Sequence, residues 1–188
     1  MISIIIPTFN EEKFLPHLLN SLHKQTFKDF EIIVADNNSA DSTRAIALKA
    51  GAKVVSGGLP AHGRNNGVKV ACGEWLLFLD ADVILPPDFL EKAKSELIEN
   101  NFAVASCYVQ PLSEKRVDKF LHKTVNQYLR YTKKVFPHAP GFCIFSKKEI
   151  HQKIGGFNEK IKLAEDHDYV SRASKVGNFE FLRSVKIP

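Results

Sequence analysis

The chain has 188 residues, 44% hydrophobic and 25% charged, with a formal net charge of +5. That length suits one domain, and that composition excludes a disordered chain. Residues 1–100 hold ten Lys/Arg against thirteen Asp/Glu, net −3, and residues 101–188 hold sixteen against eight, net +8; the basic half suits either an anionic partner or a well-solvated surface.

Ile2–Ile6 is a short apolar run that reads as a buried strand stopped by Pro7. Glu11–Lys24 sets Phe14, Leu15, Leu18, Leu19 and Leu22 at helical spacing, with Pro16 early enough to be tolerated. Glu31–Ala35 is β-rich, and the polar loop Asp36–Ser42 follows it. Thr43–Ala50 is helical in composition and closes at Gly51. Lys53–Val55 is a third strand, the Gly-rich Ser56–Pro60 a loop, Ala61–Ala71 a helix and Trp75–Leu79 a fourth strand. Such alternation predicts an α/β fold with a mostly parallel, Rossmann-like central sheet and helices on both faces.

Beyond Asp82 the pattern continues with a helix over Asp88–Asn100 and a strand over Phe102–Val109. Ser113–Lys134 is a long helical stretch with Val117, Phe120, Leu121, Val125, Tyr128 and Leu129 on one side and a strongly basic remainder. Gly141–Phe145 reads as a strand, Lys147–Ile154 as a helix, Gly155–Gly156 as a turn, Glu165–Lys175 as a helix and Phe179 onward as a strand. No linker divides the chain, so 1–188 is read as one domain. It stops at Pro188 with no evident closing element, as a trimmed or naturally minimal domain does.

The longest apolar runs, Ile2–Pro7 and Trp75–Leu79, fall far short of the ~20 residues of a transmembrane helix. The N-terminus lacks the basic-then-apolar order of a signal peptide. Cys72, Cys107 and Cys143 are odd in number, far apart and without CxxC spacing. They form neither a disulfide framework nor a zinc site, and free thiols imply a reducing, cytoplasmic location.

In a parallel α/β sheet, ligands bind at the carboxyl ends of the strands. Pro7–Glu11, Asp36–Ser39 and Asp80–Asp82 fall at such ends. Asp80-Ala81-Asp82 offers two hard oxygen donors at i, i+2, a pattern for Mg²⁺ or Mn²⁺ bridging substrate phosphates and equally a common surface turn. Asp36 can accept from a ribose or a base edge, or simply form a turn. Asp41 and Ser42 precede a helix and read as caps. Arg64, in Gly63–Gly67 (GRNNG), is either a diphosphate ligand or a surface arginine. Glu165-Asp166-His167-Asp168 opens a helix, where acids stabilise the macrodipole and one could also serve as general base. His167 reads as a surface or packing residue.

Together, Ile4–Glu11 (IIIPTFNE), Val34–Thr43 (VADNNSADST), Gly63–Gly67, Phe78–Asp82 (FLDAD) and Gly155–Tyr169 (GGFNEKIKLAEDHDY) resemble the family-2 glycosyltransferases of the GT-A fold. The motifs occur in the family's order from residue 2 to about residue 172. The resemblance implies a donor half (1–100) and an acceptor half (101–188), with Pro7, Thr8, Asn10, Glu11, Asp36, Asn37, Arg64, Asp80, Ala81 and Asp82 around a nucleoside diphosphate sugar. It implies Mn²⁺ or Mg²⁺ on Asp82 and Asp80, Asp166 as catalytic base with Glu165 beside it, and Gly141 and Phe142 on the acceptor side. Asn37 stands where the family's common DDGS turn has its second acid, which leaves the nucleotide open. The implied reaction is inverting transfer to an acceptor saccharide or a polyprenyl phosphate. The basic 115–134 segment would then touch an anionic lipid at the inner face of the membrane. A nucleotidyltransferase is the rival enzyme, though Pro7–Glu11 is no Gly-rich phosphate loop; a catalytically silent nucleotide-binding module is the non-enzyme rival. No nucleic-acid motif accompanies the basic half.

Overall fold

A computed structural model of the chain describes residues 1–111, 113, 115–132, 137, 139 and 141–188. In chain order its elements are β1 (Ile2–Thr8), α1 (Leu15–His23), β2 (Phe30–Asp36), α2 (Thr43–Lys49), β3 (Lys53–Ser56), α3 (Pro60–Val70) and β4 (Trp75–Leu79). Then come α4 (Phe89–Glu99), β5 (Val104–Val109), α5 (Arg116–Thr132), β6 (Cys143–Lys147), α6 (Lys148–Lys153), α7 (Glu165–Ala173) and β7 (Phe179–Ile187). The expected ends of the long basic helix, at residues 114 and 133–134, lie outside the described residues.

The seven strands form one sheet in the order β3-β2-β1-β4-β6-β5-β7. β1, β2, β3 and β4 run parallel, as do β5 and β7. Both faces are covered. Ile2, Ile4 and Ile6 pack with Leu15, Leu18 and Leu22 of α1 and with Phe89, Leu90 and Ala93 of α4. Ile5, Ile33, Leu76 and Phe78 pack on the other face with α3, α6 and α7 through Ala61, Val68, Ile150, Tyr169 and Val170. Two-sided burial explains why the strands read as continuous apolar runs.

β1 extends through Pro7, past its expected end. The amide of Ile2 donates to Asp29 and the carbonyl of Thr8 accepts from Asn37, so alternate residues of β1 bond toward β2. Pro7 therefore faces β4, whose pairing with β1 has already ended at Ile5↔Phe78. A missing donor costs little there. The glycines of GRNNG serve close approach. A Cβ on Gly67 would collide with the Ile5 side chain, so α3 lies nearer the sheet than an alanine would allow.

Two features were not foreseen. β6 runs antiparallel between β4 and β5, with Leu79 opposite Cys143. Its start therefore meets the carboxyl end of β4, and Gly141 arrives beside Asp80. Second, the apolar side of α5 is not core. Leu129 alone among its described residues is buried, while Val117, Phe120, Leu121, Val125, Tyr128 and Tyr131 are 48–72% exposed. The helix is tied to β5 by Asn126, whose side-chain amide donates to the Val109 carbonyl at 2.7 Å and accepts from its N–H at 3.2 Å.

Candidate active site

The carboxyl edge is built from loops laced to one another. Asp36, at the end of β2, is buried and accepts from the hydroxyls of Ser39 at 2.6 Å and Thr8 at 3.3 Å. Its turn-forming role is thus realised. Asn10 adopts a left-handed backbone (φ 57°), which Asn tolerates better than most residues. Its N–H donates to the Ser39 hydroxyl, and its side-chain oxygen accepts from the Ala40 N–H, both at 2.9 Å. Asn37 donates its N–H to the Thr8 carbonyl. The Glu11 N–H donates to the Thr43 hydroxyl at 2.7 Å. Asp41 accepts from the Thr43 N–H at 2.9 Å, whereas Ser42 makes no side-chain cap, so the capping acid stands one residue before the N-cap.

Arg64 organises the other wall. It is 3% exposed, which excludes a surface arginine. One guanidinium nitrogen donates to Glu165 at 2.5 Å; another donates to Asp80 at 3.0 Å and to the Gly141 carbonyl at 3.4 Å. Glu165 opens α7, so Arg64 links α3, β4, the approach to β6 and α7 at one point. Phe157 lies under the guanidinium, 5.2 Å from ring centroid to charge centre. Neighbouring Asn65 fixes the loop before α7: its amide donates to the Phe157 carbonyl and Glu159, and its oxygen accepts from the Phe157 N–H. Neither Asn65 nor the loop contact was foreseen, although the shared asparagine-rich motif held the signal.

Glu165 is buried against Arg64 and has little freedom to act on a substrate. Asp166 differs. Its carboxylate lies beside Gly141, where an added Cβ would stand 3.0 Å from Oδ2, and it accepts from the His167 N–H at 2.8 Å. Ala164 takes a left-handed conformation (φ 63°) immediately before these two acids. Ala81 turns into the core between Asp80 and Asp82, leaving its backbone at the edge. Phe142 packs partly against the same core.

The carboxylates share one field. Burial raises the Asp80 pKa above the ordinary carboxylate value; Arg64 pulls it down, and Asp82 and Asp166 push it up. The Glu11 pKa is also raised, by burial first and then by Asp82, Asp41 and Asp80. The edge thus gathers more negative charge than Arg64 offsets. Such a set of oxygen donors fits a hard divalent cation. Among the described residues no group of three or more His, Cys, Asp or Glu forms a metal cage. Mg²⁺ and Mn²⁺ sites that use one or two carboxylates plus substrate phosphates need none.

The profile described as glycosyl transferase family 2 matches residues 3–155. The chain belongs to glycosyl transferase family 2. Its similar relatives include an uncharacterized glycosyltransferase of Haemophilus influenzae, 29% identical over 95% of this chain and 64% of its own length. Another is the GalNAc(5)-diNAcBac-PP-undecaprenol beta-1,3-glucosyltransferase of Campylobacter jejuni, 32% identical over 85% of this chain and 55% of its own length. Staphylococcus aureus TarS 1-349 in complex with UDP-GlcNAc superposes with a TM-score of 0.79 at 27% identity, covering 99% of this chain and 57% of that one. Mannosyltransferase PcManGT of Pyrobaculum calidifontis, in complex with GDP-Man and Mn²⁺, shares the fold with a TM-score of 0.79 at 23% identity, over 97% of this chain and 54% of that one. The family-2 chain spans between 29% and 64% of the length of the curated relatives it matches. Its sheet and flanking helices form the GT-A fold. Among the described residues no helix is long and apolar enough to cross a membrane, and Cys72, Cys107 and Cys143 are all free thiols.

Proposed function

We propose that this chain is a catalytic domain that transfers a sugar, with inversion, from a nucleoside diphosphate sugar to an acceptor hydroxyl or lipid phosphate. One observation carries the reading: Glu11, Asp80, Asp82 and Asp166 converge on one sheet edge, next to a buried arginine. Family membership supports transfer over the nucleotidyltransferase and silent-module readings. The bound UDP-GlcNAc named for TarS and the PP-undecaprenol in the name of the Campylobacter relative support the donor and acceptor classes.

The donor half is residues 1–100. Pro7, Thr8, Asn10, Asp36 and Asn37 shape the nucleotide pocket, with Thr8, Asn10 and Asp36 also holding its loops in place. Asp80 and Asp82 would hold Mn²⁺ or Mg²⁺, which when bound neutralises charge on the departing diphosphate. Arg64 fixes Asp80 on one side and Glu165 on the other. Glu165 thereby anchors α7, and the proton-accepting role falls to Asp166. Its carboxylate takes the acceptor hydroxyl's proton as that oxygen attacks the anomeric carbon opposite the leaving group. An acceptor phosphate, already anionic, would need no such base. Gly141 and Phe142 border the acceptor half, residues 101–188, whose basic α5 faces an anionic membrane.

The direct test supplies UDP-GlcNAc, UDP-glucose and GDP-mannose with Mn²⁺ and measures nucleoside diphosphate release. Release from at least one, dependent on the cation, is expected. Binding without release would favour the silent nucleotide-binding module, and neither binding nor release with any nucleotide would overturn the reading.

A further inference from the structure

The carboxyl edge carries a cleft of about 510 Å³ between α5 and the ends of β5 and β7. Lys119, Lys123 and Arg130 of α5 and Arg183 and Lys186 of β7 line it, with His122 among them; no acidic residue does among the described residues. The fold assembles these cations deliberately. The β5–β7 register jumps from Cys107↔Leu182 to Tyr108↔Lys186, so Arg183–Val185 bulge from the ladder. Glu96 of α4 fixes the bulge by accepting from the N–H groups of Arg183 at 3.0 Å and Ser184 at 2.9 Å. On the opposite wall, the Asn126 amide clamps α5 to Val109. Guanidinium forks and ammonium groups converging on a cleft recognise phosphate oxygens.

α5 supplies an independent observation. Away from the cleft it exposes the apolar stripe Val117, Phe120, Leu121, Val125, Tyr128 and Tyr131. An amphipathic helix with Lys and Arg flanking an exposed apolar face lies in the interface of a bilayer, and its cations complement anionic headgroups. Headgroup phosphates would then stand level with the cleft.

Position selects the ligand further. β5 is separated from β4 by β6 alone, so the cleft lies roughly 10 Å along the edge from Asp80, two strand spacings. A phosphate bound there is too far away to be the attacking group. It can hold an acceptor whose attacking hydroxyl lies further along a saccharide.

We propose that this cleft binds the diphosphate of a polyprenyl-diphosphate-linked saccharide, presented by a bilayer in which the apolar face of α5 is seated. The inference rests on the transferase reading above and narrows its acceptor to a hydroxyl of a lipid-linked saccharide.

Farnesyl diphosphate is the soluble probe, titrated by calorimetry without divalent cation. It should bind, farnesol should not, and the double variant Lys123→Ala/Arg130→Ala should weaken binding by about tenfold. The variant Phe120→Ser/Leu121→Ser should bind farnesyl diphosphate normally but co-sediment less with phosphatidylcholine vesicles containing phosphatidylglycerol. Unchanged farnesyl diphosphate affinity in the charge variant would overturn the proposal. So would equal co-sedimentation with phosphatidylcholine vesicles with and without a polyprenyl diphosphate, which marks a soluble anion site. A sedimentation mass of two copies, lost in the apolar variant, would assign the stripe to self-association instead. UDP and GDP titrated with Mn²⁺ into the wild type report the donor site separately: binding of either without farnesyl diphosphate binding sinks this inference alone, and farnesyl diphosphate binding with neither nucleotide bound sinks the transferase reading.

Discussion

Arg64 and Glu165 stand 101 residues apart in the chain, and their side chains form a buried ion pair at 2.5 Å. The pair joins α3, which follows β3, to α7, which presents Asp166. It places the proposed donor wall and the proposed base on one frame. Removing one partner of a buried pair leaves a charge without compensation, which costs about 3–5 kcal/mol. Arg64→Ala should therefore lower stability by about that amount, read from urea denaturation. Arg64→Lys, which keeps the charge but loses the fork, should fall between.

Gly67 is set by space. A Cβ there would strike the Ile5 side chain, which is fully buried in β1. Overpacking of this kind costs about 1–3 kcal/mol. Gly67→Ala should lower the denaturation midpoint, while Gly51→Ala, where φ is +78° but no atom lies within 4 Å, tests backbone strain without a clash.

His151 gives the fold a pH dependence. Burial, reinforced by the charges of Arg172 and Lys148, lowers its pKa from 6.5 to about 4. It lies among Phe78, Phe157 and Tyr169, with a ring nitrogen 3.2 Å from the Tyr169 hydroxyl. Between those two pKa values the unfolded chain binds a proton that the folded chain does not, so this contribution is full above about 6.5 and lost as pH falls toward 4. Going from pH 7 to pH 5 should cost about 2 kcal/mol through this residue. His151→Gln should remove that part of the acid sensitivity in paired denaturation curves.

Binding at the proposed cation site should also be lost on acidification. Asp80 and Glu11 hold their protons to higher pH than ordinary carboxylates. Acidification should therefore weaken Mn²⁺-dependent UDP binding before ordinary carboxylates titrate. Asp82→Ala should abolish both that binding and transfer; calorimetry with and without EDTA checks it.

Much of this was legible from periodicity. Two-sided burial gave apolar runs at Ile2–Ile6 and Trp75–Leu79, and helical spacing marked Leu15–Leu22. The acids at strand ends were legible because chemistry in an α/β sheet collects there. Strand direction was not: nothing local to Cys143–Lys147 says that it runs against β4. The apolar side of α5 was legible as a face, but not its exposure, because amphipathicity shows a face without showing its partner. The Arg64–Glu165 pair, the Asn65 clamp and the buried His151 depend on contacts between distant segments. Their motifs, GRNNG and GGFN, were visible, but each carried its role only once the other was beside it.

Asp166, not Glu165, is the proposed proton acceptor. Asp166→Asn keeps size and removes the basic carboxylate. With an acceptor hydroxyl identified, transfer by this variant should fall by about 10²–10⁴-fold, while Mn²⁺-dependent UDP binding by calorimetry stays at the wild-type level. Turnover close to wild type in Asp166→Asn would contradict the assignment.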